Sequence, residues 1–97
     1  MRKLVILVIA SVLLSIPAMA QEATLKSVLG KDFLVGCAMN VDQIDGKEPK
    51  AVDIVKKNFN SIVAENCMKP ENIEPEEGKF NWTDADKFVK FGNDNGL

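Results

Sequence analysis

The chain has 97 residues, with 12 basic and 14 acidic side chains and a formal net charge of −2, and it shows no basic patch on which nucleic-acid binding could rest. It contains no histidine and only two cysteines. That excludes a Ser-His-Asp triad, a Cys-His pair and the commoner zinc sites within these residues, and it excludes a disulfide framework.

The first segment reads as a leader. Arg2 and Lys3 precede an almost wholly apolar run from Leu4 to Leu14, and Ala18-Met19-Ala20 fits a small-x-small cleavage site, the three-part pattern of a secretory signal peptide. Ser11, Ser15 and Pro17 break the run short of the roughly 20 apolar residues that a membrane span needs. Cleavage is therefore expected after Ala20, leaving residues 21–97 as a mildly acidic product that is periplasmic or secreted. An oxidising compartment would permit a Cys37–Cys67 bond, but two buried free thiols are the expectation for so few cysteines.

Residues 21–31 are polar, with a helical turn at Leu25 to Leu29. Phe33-Leu34-Val35-Gly36-Cys37-Ala38 is a short apolar run that suits a strand buried on both faces, with Gly36 marking a bulge or a close backbone approach. Asp42 to Pro49 reads as a polar loop with an Asp45-Gly46 turn. Ala51, Val52, Ile54 and Val55 then recur at near-helical spacing, so a helix is expected over 50–58, with Pro49 at its start and Lys56 and Lys57 in its last turn. Phe59 to Ala64 is a second strand, which makes a parallel βαβ unit.

From Asn66 to Asn81 the composition of Pro, Glu, Asn and Gly predicts a long loop. A second helix starts near Thr83, with that threonine as its cap, Asp84 and Asp86 in the first turn, and Ala85, Phe88, Val89 and Phe91 on its apolar side. Asn95-Gly96 ends it, and Leu97 is placed like the first residue of a third strand. The fold class is α/β. Because a parallel sheet has to be covered on both faces or closed into a barrel, two strands are expected to be part of a larger domain.

Chemistry concentrates in Glu65-Asn66-Cys67-Met68-Lys69-Pro70-Glu71, at the C-terminal end of the second strand, the end that carries function in α/β barrels. Glu65, Asn66 and Lys69 offer an anion, an amide and a cation, a set able to orient the vicinal hydroxyls of a neutral sugar. The plainer reading is a local Glu65–Lys69 ion pair with Asn66 turning the chain.

The run Asn58-Phe59-Asn60-Ser61-Ile62-Val63-Ala64-Glu65-Asn66-Cys67-Met68-Lys69-Pro70-Glu71, followed by Glu74-Pro75-Glu76-Glu77-Gly78-Lys79-Phe80-Asn81-Trp82 and Asp84-Ala85-Asp86, resembles the early part of glycoside hydrolase family 10, the endo-β-1,4-xylanases. The resemblance covers most of residues 25 to 97. It implies that residues 21–97 are the first two β/α units of a (β/α)8 TIM barrel, a fold of about 250 residues that this chain leaves incomplete. It implies that Glu65, Asn66 and Lys69 bind the xylose unit two sugars from the scissile bond, on its non-reducing side, in xylan or a xylo-oligosaccharide. Phe80 and Trp82 would be structural, and Asn40, at the end of the first strand, is not assigned to the site.

The family reaction is retaining hydrolysis by two carboxyl groups, which needs no metal or organic cofactor. In the family both are glutamates on later strands, so neither is expected within residues 1–97. Glu65, Glu71 and Glu74 do not match them, and the chain alone is expected to be inactive. The alternative is a non-catalytic secreted protein, either carbohydrate-binding, against which two unpaired sheet edges weigh, or a remnant.

Overall fold

A computed structural model of the protein describes residues 20–97, so the leader read over residues 1–20 lies, apart from Ala20, outside the described residues. The elements run α1 (Leu25–Leu29), β1 (Gly36–Met39), α2 (Val41–Ile44), α3 (Pro49–Asn58), β2 (Ser61–Ala64), α4 (Pro70–Ile73) and α5 (Thr83–Asn95). The α/β reading holds, with both predicted strands and both predicted long helices present.

The two strands pair in parallel, from Gly36 opposite Ser61 to Met39 opposite Ala64. Gly36 is there because the strands come close: a Cβ on it would stand 2.9 Å from the Ser61 carbonyl oxygen. The register runs on without interruption, so the close approach, not the bulge, is what the glycine serves. One residue before the ladder, Asn60 grips Val35 through side chain and main chain alike. Its Oδ1 accepts the Val35 N–H at 2.7 Å and its own N–H donates to the Val35 carbonyl at 3.0 Å.

Pairing begins later than the apolar runs suggest. The N–H groups of Asp32 and Phe33 both donate to the Leu29 carbonyl, which continues the turn of α1, and Phe33 and Leu34 are exposed. The first strand is thus not buried on both faces among the described residues; only Cys37 and Met39 turn inward. Phe59 likewise belongs to the end of α3, where its N–H donates to the Val55 carbonyl at 2.9 Å.

Two segments read as loops contain short helices. The Asp42 to Pro49 stretch begins with α2, which Asn40 and Gln43 hold through a capping box: the Gln43 N–H donates to Asn40 Oδ1 at 3.0 Å and the Asn40 N–H to Gln43 Oε1 at 3.1 Å. The Asn66 to Asn81 stretch contains α4 and an antiparallel bridge between Glu76 and Lys79, turned by Gly78 at φ 75°. The cap of α5 is also corrected. Trp82 occupies the cap position, Thr83 is already helical, and the side chain serving that end is Asn81, whose Oδ1 accepts the Thr83 N–H at 3.1 Å.

The α5 helix stops as expected at Gly96, in the left-handed region at φ 67°. Leu97 lies in no strand among the described residues. Its N–H donates back to the Gly92 carbonyl at 2.9 Å, and its side chain packs on the core. That core consists of Met39, Val52, Val55, Cys67 and Phe88, with Ile62, Ala64 and Phe91 against it, so helices α3 and α5 cover one face of the strand pair.

Replacing Gly36 by valine should destabilise the fold by about 1–3 kcal/mol, since the added carbons meet main chain that cannot yield without parting the strands. Urea unfolding would show this as a lower midpoint at unchanged slope. An unchanged midpoint would mean that the strands tolerate wider spacing.

Candidate functional site

The parallel ladder continues one step beyond β2, where the Glu65 N–H donates to the Met39 carbonyl at 3.0 Å. This sets Glu65 beside Asn40 at the C-terminal end of both strands. Cys67 then turns inward and joins the core, while Glu65 and Asn66 stay exposed above it. The Asn66 carbonyl accepts from the Lys69 N–H at 2.9 Å and from Asn72 Nδ2 at 2.7 Å, which bends the chain into α4. Lys69 occupies the cap position of that helix, ahead of Pro70, and its side chain is exposed.

Two adjoining hollows open at this rim. Asn40, Val41, Asp42, Glu65, Asn66 and Cys67 line one of about 380 Å³. The other, about 270 Å³, shares Val41, Asn66 and Cys67 and adds Asn72, Asn81 and Asp84. Glu65 and Asn66 are therefore brought together on one hollow, and Lys69 lines neither. No ion pair joins Glu65 to Lys69 among the described residues. The plainer reading thus holds in part: Asn66 does turn the chain, by its main chain, which leaves its amide over the hollow.

Residues not assigned to the site from sequence complete the walls. Asn40 reaches the rim, but its side-chain oxygen is committed to the α2 cap. Asp42 accepts a 2.6 Å hydrogen bond from Lys47 Nζ, and that bond, with the charge of Asp42, raises the Lys47 pKa. The only signal for this wall was the Asn-x-x-Gln spacing at the strand end. Asn72 and Asn81 lay in a stretch whose composition spoke of loop and no more, and Asp84 stood only as a first-turn acidic residue of the helix that follows.

Phe80 and Trp82 stack on each other, rings 5.6 Å apart and 6° from parallel, and both are more than half exposed. Both cysteines are free, Cys37 half-buried and Cys67 buried. Burial pushes both thiols up, and the Asp84 carboxylate adds to the rise at Cys67. Thiols of this kind stay protonated near neutral pH and are poor nucleophiles. Among the described residues no three His, Cys, Asp or Glu side chains converge as a metal site requires. What the rim offers is a set of hydrogen-bond donors and acceptors, groups able to meet the hydroxyls of a polyol.

Residues 24–97 match Glycosyl hydrolase family 10. The chain is 54% identical over 92 residues to endo-1,4-beta-xylanase A of Xylanibacter ruminicola, covering 94% of this chain and 25% of that protein. It is 42% identical over 71 residues to endo-1,4-beta-xylanase A of Halalkalibacterium halodurans, covering 73% of this chain and 17% of that one. A psychrophilic family 10 endo-beta-1,4-xylanase superposes at TM-score 0.70 with 41% identity, over 78% of this chain and 23% of that chain. A mutant solved in complex with xylotriose superposes at 0.67 with 30% identity, over 78% and 22%. The chain thus spans a quarter or less of the length of these relatives.

The thiol environment sets a pH dependence. With the folded-state pKa raised, the thiols hold their protons to higher pH in the native protein than in the unfolded chain. Their contribution to stability is therefore complete below the unfolded value of about 8.5 and is lost as pH rises through the folded one. Iodoacetamide modification of Cys67, followed by mass spectrometry, should reach its half-maximal rate at higher pH than for a free thiol. A profile matching that of free cysteine would contradict the burial.

Proposed function

This chain belongs to glycosyl hydrolase family 10, and on that premise we propose that Glu65, Asn66 and Lys69 form the glycone-side binding rim of an endo-1,4-β-xylanase cleft. The described residues are the first two β/α units of a TIM barrel, whose active face lies at the C-terminal ends of the strands. The observation that carries the reading is the bond from the Glu65 N–H to the Met39 carbonyl, which stands Glu65 and Asn66 over one hollow at that face. A carboxylate accepts from sugar hydroxyls, an amide does both, and the Lys69 ammonium donates.

In this proposal the segment binds and does not cut. Retaining hydrolysis needs an acid/base carboxyl and a nucleophilic carboxylate about 5–5.5 Å apart across the scissile bond, and both are assigned to strands outside residues 1–97. Of the carboxylates near the rim, Glu74 has other employment: its Oε1 accepts the Gly78 N–H at 2.7 Å and so closes its own loop. The reaction asks only for carboxylates and water, with no metal or organic cofactor. Export fits both the leader pattern at residues 1–20 and a polymeric substrate that does not enter cells, so the product is assigned to the periplasm or the outside of the cell.

Three experiments test this. In the complete enzyme carrying this segment, Glu65→Ala, Asn66→Ala and Lys69→Ala should each lower kcat/KM on xylotetraose by about 10- to 100-fold, as expected for hydrogen bonds with charged or well-placed partners. Residues 1–97 alone should release no reducing sugar. Unchanged kcat/KM in all three variants would sink the assignment, and a complete protein that binds xylan without releasing sugar would leave the non-catalytic carbohydrate-binding role. N-terminal sequencing of the exported protein should begin at Gln21; a retained Met1 would refute cleavage after Ala20.

A further inference from the structure

The geometry points to Asp42 as a further sugar-binding residue, in the lining of the same hollow as Glu65 and Asn66. The inference rests on the binding role proposed for those two residues and extends it to the loop after β1. Continuing the strand register past Met39 and Ala64 brings Asn40 level with Glu65, and Asp42 follows two residues later in the first turn of α2. Asp42 and Glu65 line the same space of about 380 Å³. This is near the small end of ligand sites and suits one sugar unit better than a run of them.

Asp42 is held in a way that suits binding. Its carbonyl accepts the Lys47 N–H at 2.9 Å, and its Oδ1 accepts from Lys47 Nζ at 2.6 Å, so the side chain is fixed through one oxygen. Oδ2 has no hydrogen-bond partner among the described residues. A carboxylate already ordered by one contact loses less freedom when a hydroxyl binds the other oxygen. The Asn40–Gln43 capping box holds the backbone beneath it. Asn40 does not compete for the role, because its own side-chain oxygen is taken by the Gln43 N–H.

The Asp42–Lys47 pair has little structural reason to exist. Its side chains are 58% and 65% exposed, and exposed pairs of this kind add little to stability. Val41 and Cys67, also in the lining, offer apolar surface to the C–H faces of a bound ring. The hollow has two carboxylates and no cation in its lining, which disfavours an anionic ligand; the neutral, hydroxyl-rich pyranose follows from the binding role proposed for Glu65 and Asn66.

The test compares Asp42→Ala, Asp42→Asn and Glu65→Ala in the complete enzyme, with xylotetraose as substrate and a thermal melt of each variant. Asp42→Ala should raise KM about tenfold, the loss of one hydrogen bond to a charged group, with kcat within about twofold and the melting midpoint within about 2 °C. Asp42→Asn, whose oxygen can stay on Lys47 while its NH2 donates to a sugar hydroxyl in place of the free carboxylate oxygen, should recover part of that loss. If Glu65→Ala raises KM and Asp42→Ala does not, Asp42 is no ligand and the Glu65 assignment stands. If neither changes KM, the binding rim itself is misplaced and this inference falls with it. A melting midpoint lowered by several degrees with kcat and KM equally impaired would make Asp42 structural and overturn the proposal.

Discussion

Four residue pairs between two short strands, Gly36 with Ser61 through Met39 with Ala64, determine where every polar group at the rim stands. A slip of one residue in that ladder would reverse which side chains face the helices and would part Glu65 from the loop carrying Asn40 and Asp42. Three features hold the register. Gly36 admits the Ser61 carbonyl at a distance no side chain would allow, Asn60 closes the near end on Val35, and the bond from Glu65 to Met39 closes the far end. The site is therefore a consequence of strand pairing, and only secondarily of the loops that surround it.

The same ladder separates two faces. Cys37, Met39, Ile62 and Ala64 turn toward α3 and α5 and carry the buried core. Gly36 and Ala38, with their partners Ser61 and Val63, lie on the other face; Gly36, Ala38 and Val63 are exposed. In a TIM barrel the helices pack outside and the strands enclose an interior filled by side chains. The exposed face, with Gly36, Ala38, Ser61 and Val63, is the one around which such a barrel closes.

Helical periodicity and special backbone positions were legible in the sequence. The apolar spacing from Val52 to Val55 and from Ala85 to Phe88 located α3 and α5 because each helix buries one stripe against the strands. Gly36 and Gly96 could be read because each meets a steric demand that other residues meet poorly. Strand starts were not legible, since Phe33 and Phe59 are apolar enough for a strand while their N–H groups are spent on the preceding helices. Helices α2 and α4, four residues each, are too short to show a period, and side-chain caps and proline define them instead. Of the candidate site, Glu65 and Asn66 stood out by position at a strand end. Asp42 did not, because its relation to Glu65 exists only once β1 and β2 are paired.

Whether Glu65, Asn66 and Lys69 hold a xylose unit at the C-terminal end of β2 is decided by a crystal structure of the complete enzyme with xylotriose bound. Sugar hydroxyls should lie within about 2.6–3.2 Å of polar side-chain atoms of all three residues. Well-ordered xylotriose elsewhere in the barrel mouth, with these three side chains facing solvent, would contradict the assignment.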